Sequence, residues 1–339
     1  MKGKPSNNQK LATFKKNLLL EELLSDINAS TELAEQYYFK DESINLNQPV
    51  VMIVGPPRSG STLLLQLLAH SGLFCYPTNF LSRFYRSIGL GCRVQDMIFN
   101  PEFDYRGELL SSSSGVIEPF QSEFGKSKGP LAPNVFWYFW YTHFNFGQTH
   151  FLSKQQWQKS SLKRFNNELA ILQNYHNTPV VLKAMVLNWN LVELSKLSNN
   201  IVFLFTQREP VDNCESILTA RRKIYKDEST WWSFKPPEYE AIKNLEDNNE
   251  QIAAQWLSID KACRYAQHQL PEARYKVINY QELCREPEKQ IREALMHFNL
   301  RSDYVIKESF EPSVVSDQER INIWSKALAS AENKIPFHF

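Results

Sequence analysis

Two groups of residues have the types and spacing to hold a ligand with two separate anionic groups. The first is Gly55-Pro56-Pro57-Arg58-Ser59-Gly60-Ser61-Thr62-Leu63, which follows the apolar run Val50-Val51-Met52-Ile53-Val54 and leads into Leu64, Leu67 and Leu68. The β-branched run suits a buried strand, and the leucines at helical spacing suit one face of a helix. Gly55 and Gly60 bracket a turn in which the backbone can approach a ligand closely. Amides at the start of the following helix favour an anion, and Ser59 or Ser61 is the expected cap of that helix. The spacing G-x-x-x-x-G-S-T imitates a Walker A loop, with Ser61 in place of its lysine and the positive charge earlier, at Arg58. Such a loop suits a phosphate, but not the β- and γ-phosphates of ATP. The second group is Arg208-Glu209-Pro210 with Ser216 eight positions after Arg208. A guanidinium fork and a hydroxyl at that separation could converge on a second anion.

The elements that must position these groups follow from the hydrophobic pattern. Apolar runs at residues 50–54, 179–183, 201–206 and 275–280 read as strands. Between and after them, residues 162–174, 187–197, 211–225, 248–270 and 281–298 carry helical periodicity. Strands separated by helices pair in parallel with right-handed crossovers. The expected fold is α/β: a P-loop-like doubly wound sheet, mainly parallel, with helices on both faces. Residues 1–48 read as an N-terminal helical extension, and residues 49–339 as a single α/β domain. Ligands of such sheets bind at the carboxyl ends of the strands. That rule places the Gly55 loop, Lys183, the Arg208 turn and Tyr280 along one edge. Residues 73–129 read as short helices and loops, with Arg83, Arg86 and Arg93 either a mouth for an anionic acceptor or plain surface. Residues 135–146 are dense in aromatics and read as a core helix or as an aromatic wall for an acceptor. Trp231 and Trp232 read as a buried corner or a substrate lid, and Arg221, Arg222 and Lys223 as a solvated helix face or as further contacts to a ligand's phosphates.

Composition narrows the classes. The chain of 339 residues has 38 basic and 37 acidic residues, a formal net charge of +1, which gives no support for nucleic acid as the main partner. Its five cysteines include no C-x-x-C and fit reduced thiols in a cytoplasmic protein. No apolar run reaches membrane-spanning length, and the polar, lysine-bearing start does not read as a secretory signal. The seven histidines show no metal-ligand spacing, so no metal is expected.

Four segments in order resemble the sulfotransferase family that uses 3′-phosphoadenosine 5′-phosphosulfate (PAPS). Pro57-Arg58-Ser59-Gly60-Ser61-Thr62-Leu63 resembles its 5′-phosphosulfate loop, and Arg208-Glu209-Pro210…Ser216 its 3′-phosphate motif. Asn279-Tyr280-Gln281-Glu282-Leu283…Glu286-Pro287 is similar to its Tyr-Glu-Asp-Leu…Pro segment, and Val181-Leu182-Lys183 to the strand whose lysine faces the transferred group. Trp231-Trp232-Ser233-Phe234-Lys235-Pro236 is similar to a segment of a bacterial branch. The resemblance implies PAPS as co-substrate, bound without a metal. Ser59, Gly60, Ser61, Thr62 and Leu63 would hold the 5′-phosphate, and Arg58 would neutralise the bridging oxygen. Arg208 and Ser216 would grip the 3′-phosphate, and Tyr280 would line the nucleotide pocket. It implies in-line sulfuryl transfer to a hydroxyl or amine of a small or medium-sized acceptor, driven by positioning and charge stabilisation.

The chain departs from the family pattern at the general base. Many relatives carry a histidine shortly after the strand lysine, whereas Lys183 is followed by Ala184-Met185-Val186-Leu187-Asn188. Glu118, Glu123 and His143 are the candidate proton acceptors. Two rivals follow from the residues: a P-loop kinase of metabolites or nucleotides, opposed by Ser61 at the lysine position, and a nucleotide-binding protein without turnover.

Overall fold

The β-branched strands of the sequence form a parallel sheet whose carboxyl edge carries the loops of interest. The computed structural model describes residues 15–39, 45–108, 122–123 and 125–339. The strands are β1 (Val50–Val54), β2 (Ser122–Glu123), β3 (Lys126–Ser127), β4 (Val180–Lys183), β5 (Ile201–Gln207) and β6 (Tyr275–Asn279). Four of them make one sheet in the order β4-β1-β5-β6, parallel throughout, with Ile53 opposite Lys183 and Gln207 opposite Asn279. The two short strands β2 and β3 pair antiparallel, Glu123 opposite Lys126. Helix α1 (Leu18–Tyr38) precedes β1, and α2 (Ser61–His70) leaves the glycine-bracketed loop. Then come α3 (Ile88–Phe99), α4 (Trp137–His143), α5 (Lys154–Gln158) and α6 (Leu162–His176). Between β4 and β5 lies α7 (Leu191–Ser195); between β5 and β6 lie α8 (Pro210–Tyr225), α9 (Tyr239–Ile242) and α10 (Asn248–Gln269). The chain ends with α11 (Tyr280–Arg285), α12 (Pro287–His297) and α13 (Gln318–Lys334). No helix among the described residues is long and apolar enough to cross a membrane.

Alternation along β1 divides the core in two. Val50, Met52 and Val54 face a cluster with Phe165 and Leu169 of α6, Leu191 and Leu194 of α7 and Ile259 of α10. Val51 and Ile53 face the opposite cluster, with Leu64, Leu67 and Leu68 of α2 and Ile291 and Leu295 of α12. Helices therefore cover both faces of the sheet. Both faces of β1 are dry, which is why its sequence is apolar at every position rather than at alternate ones. A third cluster joins α8, α10 and α13 around the fully buried Trp324.

Three expected elements differ. The periodic stretch 281–298 is two helices, α11 and α12, because Pro287 occupies the first turn of α12; its ring and missing N–H exclude it from a helix interior. Residues 187–197 contain only the short α7, preceded by a 3-10 turn, Met185–Leu187. The aromatic stretch is helical only from Trp137 to His143, between the left-handed Phe136 and the extended Phe144.

Candidate functional site

The loop between β1 and α2 is shaped by two glycines. Gly55 has φ +127, and a Cβ on it would lie 2.5 Å from the Thr206 carbonyl oxygen on β5. Gly60 has φ +89 and is the N-cap of α2; a Cβ on it would lie 2.5 Å from Cδ2 of Tyr280. Only glycine meets both demands, positive φ and contact with a neighbouring element. Contrary to expectation, no serine caps α2. Ser59 Oγ instead donates to the Pro56 carbonyl at 2.6 Å and lies 2.6 Å from Thr206 Oγ1. The first-turn amides of α2, at Ser61, Thr62 and Leu63, have no intrahelical acceptor by the geometry of a helix and no side-chain cap here. This is the arrangement that binds an anion.

Residues from the turn after β5 and from α8 hold the loop from the other side. Arg58, at φ +69, donates from Nε to Ser216 Oγ at 3.1 Å. Its carbonyl accepts from Arg208 Nη1 at 3.0 Å, and the Pro57 carbonyl accepts from Asn213 Nδ2 at 2.6 Å. Arg208 Nη2 donates to the Ser313 carbonyl in the irregular segment before α13. Its guanidinium lies over the Tyr280 ring, 4.6 Å from the centroid, and its buried Nε has no partner among the described residues. Lys183, at the end of β4, donates to Thr62 Oγ1 at 3.0 Å. Arg58, Lys183, Arg208, Ser216, Thr62 and Tyr280, distant in sequence, thus share one sheet edge.

Charge makes the edge anion-seeking. Lys183 is 6% and Arg208 6% exposed, and among the described residues no carboxylate lies within ion-pair distance of either. Burial, and then the charge of Arg58, pushes the Lys183 ammonium down to about 7. Burial and the charge of Arg208 lower Arg58. Arg58 lowers Lys183 and Arg208 lowers Arg58, so these like charges destabilise one another, and an anion relieves that repulsion.

Several residues of this edge escaped the sequence. Asn188 accepts from the Gly55 N–H at 3.0 Å and donates to the Gly55 carbonyl at 2.9 Å, clamping the loop at its root. Thr206 donates to the Val54 carbonyl at 3.0 Å. The one available signal was polarity within otherwise apolar runs.

Of the candidate bases, His143 does not belong to the edge. It lies inside the aromatic core, its ring centroid 4.4 Å from that of Phe139, and neither ring nitrogen has a partner among the described residues. Burial, helped by the charge of Arg164, pushes it down to about 3. A ring sealed there cannot reach an acceptor, so His143 is a core residue and not a proton acceptor. Glu123 lies on β2; its side chain, like Glu118 and the serine run 111–114, lies outside the described residues. The aromatic stretch divides by helix face. Phe136, Phe139, Trp140 and Phe144 are core, whereas Trp137 and Tyr141, four apart on one side of α4, are 38% and 43% exposed.

Other expectations are corrected as well. Arg221 is not solvated: it is fully buried, donates to the Glu228 carbonyl at 3.0 Å and lies over the Trp231 ring. Trp231 itself is a buried corner. Arg86 pairs with Glu32 of α1, and Arg93 lies over the Tyr38, Phe39 and Tyr175 rings, so they brace α1 against α3 and α6 rather than forming a mouth.

Comparison with known proteins places this geometry in context. A family model described as "Sulfotransferase family" matches residues 49–304. No curated protein matches the chain in sequence. Among solved structures it is similar to sulfotransferase STF9 from Mycobacterium avium, with TM-score 0.54 and 11% identity over 95% of this chain and 87% of that one. It is also similar to sulfotransferase STF1 from Mycobacterium tuberculosis H37Rv, with TM-score 0.50 and 11% identity over 90% of this chain and 81% of that one.

Proposed function

The chain belongs to the sulfotransferase family, and from that premise we propose that it moves a sulfuryl group from PAPS to a hydroxyl or amine of a small or medium-sized acceptor. The observation that carries this reading is the convergence of Arg58, Lys183 and Arg208 on the uncapped start of α2, with Ser216 hydrogen-bonded to Arg58. Two anionic groups on one ligand, the 3′-phosphate and the 5′-phosphosulfate, would answer those charges. The amides of Ser61, Thr62 and Leu63 would hold the 5′-phosphate, with Ser59 and Gly60 setting the turn. Arg208 and Ser216 would take the 3′-phosphate and exchange their present partners, the Ser313 carbonyl and Arg58, for its oxygens. Tyr280, already against Gly60 and Arg208, would line the nucleotide pocket.

In the transfer, the bond between sulfur and the oxygen bridging to the 5′-phosphate breaks, and a bond from sulfur to the acceptor atom forms. Arg58 and Lys183 neutralise charge developing on the bridging oxygen and the sulfuryl oxygens, the positioning and electrostatic strategy suited to a loose transition state. The acceptor's proton leaves to a base, for which Glu123 is the proposed residue, since its strand β2 pairs with the segment that approaches Lys183. The products are the sulfated acceptor and adenosine 3′,5′-diphosphate. The five cysteines are all buried free thiols, which fits a cytoplasmic enzyme. Thermal stabilisation by adenosine 3′,5′-diphosphate but not by ATP with Mg²⁺, together with transfer of labelled sulfate to members of an acceptor panel, is the expected result. Stabilisation by ATP with Mg²⁺ alone would overturn it in favour of a kinase, and nucleotide binding without transfer would favour a binding protein.

A further inference from the structure

Gly125 stands over the Lys183–Thr62 hydrogen bond although nothing in its sequence neighbourhood resembles a phosphate loop. Its φ is +85, and a Cβ built on it would lie 3.5 Å from Thr62 Oγ1 and 4.0 Å from Lys183 Nζ. Those are ordinary van der Waals separations, so the protein itself has room for a methyl group at this point. The position is held firmly. Glu123 pairs with Lys126 and Ser122 with Ser127. Gln66 donates from Nε2 to Ser127 Oγ at 3.2 Å. Asn79 Nδ2 donates to the carbonyls of Ser127 and Gly129, both at 2.8 Å. Asn134 in turn donates to Asn79 Oδ1 at 2.7 Å. Gln66 lies four residues after Thr62 on α2, hence on the same face. The helix that presents Thr62 thus also anchors the strand next to Gly125, fixing the gap between them.

We propose that Gly125 is a specificity-determining residue: its missing side chain leaves beside Lys183 and Thr62 the space that a sulfuryl group occupies. This rests on the sulfuryl-transfer reading above. The left-handed backbone alone does not explain glycine, since asparagine also adopts that conformation. Space next to the buried ammonium does. A methyl group there touches protein atoms without displacing them, but takes the volume needed by oxygens bound to sulfur. Adenosine 3′,5′-diphosphate carries no such group and is indifferent to it.

The test compares two ligands on Gly125→Ala by calorimetry: PAPS and adenosine 3′,5′-diphosphate. The expected result is diphosphate affinity within about twofold of the parent protein and PAPS affinity lower by about tenfold or more, as overfilling a packed site costs. Gly72→Ala serves as the control for backbone strain alone, since Gly72 has φ +69 and nothing within 4 Å of a Cβ; it should leave both affinities unchanged. Equal affinity of Gly125→Ala and the parent for PAPS would overturn the proposal. So would equal loss of both ligands, which would make Gly125 a support of the nucleotide site as a whole. A parent protein that binds neither ligand would overturn the sulfuryl-transfer reading itself, and the two failures are told apart by the parent's own titration.

Discussion

Replacing Lys183 by methionine should make the protein's stability respond differently to pH, and the size of the response follows from the burial of this one ammonium. Lys183 is held down to about 7 from an ordinary value of 10.5 by burial and by Arg58. Between those values the unfolded chain keeps a proton that the folded protein has released. Stability therefore rises with pH as this group deprotonates, by at most about 1.4 kcal/mol per pH unit. Near pH 7 the folded lysine is half protonated and the slope is about half of that. From pH 7 to 8.5 the lysine thus contributes about 1.5 kcal/mol to the parent protein and nothing to Lys183→Met. Glu168, raised to about 7 by burial and Glu35, titrates alike in both proteins and cancels in the difference. The window ends below the ordinary thiol value of 9.0, above which the buried cysteines would enter. Urea denaturation of both proteins at four pH values measures the gap directly. The parent should gain on Lys183→Met by that amount across the window. A gap independent of pH would mean that Lys183 is not held uncharged by its surroundings, and the account of an anion-seeking edge would fail with it. Saturating adenosine 3′,5′-diphosphate should restore the ammonium and take up protons on binding, so its binding enthalpy should depend on the buffer.

Further outcomes test the rest of the edge. Arg208→Ala should weaken adenosine 3′,5′-diphosphate binding by about tenfold or more, because a charge-assisted contact is lost from a buried site; unchanged affinity removes Arg208 from the 3′-phosphate. Asn188→Ala should destabilise the protein by about 2–5 kcal/mol in urea, since it leaves the buried Gly55 N–H and carbonyl unpaired; a loss below about 1 kcal/mol would mean that the clamp is dispensable. His143→Phe should leave sulfuryl transfer unchanged and stability equal or higher, as it removes two buried nitrogens that have no partner among the described residues; loss of transfer would reinstate a catalytic role for the ring. Glu123→Gln should lower kcat by about a hundredfold with diphosphate affinity kept, the usual worth of a general base, and full activity would exclude it as proton acceptor.

The sheet and its loop were legible because their causes are local. Val50 to Val54, 201–206 and the other apolar runs can hardly avoid water except as buried strands, and parallel pairing follows from the helices between them. The glycines of the loop, Arg58, Arg208 and Ser216 were legible as a pattern of types at set spacing. The break at Pro287 was written in the chain too, through the chemistry of proline.

What only the tertiary structure decided are relations between distant segments. His143 looked like an available base until α4 turned the face it shares with Phe139 into Phe165 of α6, while Trp137 and Tyr141 on the other face stayed exposed. Arg221 looked solvated until Trp231 covered it. Asn188 clamps Gly55 across 133 residues, and Gly125 meets Lys183 through a strand pair anchored by Asn79 and Gln66. The sequence by itself determined an α/β sheet with a glycine-bracketed loop at its carboxyl edge, because turn conformation and hydrophobic pattern are set by neighbours in the chain. The fold decided which cations share that edge and how close the glycine stands to the lysine, because desolvation, repulsion and van der Waals contact depend on groups brought together only by packing.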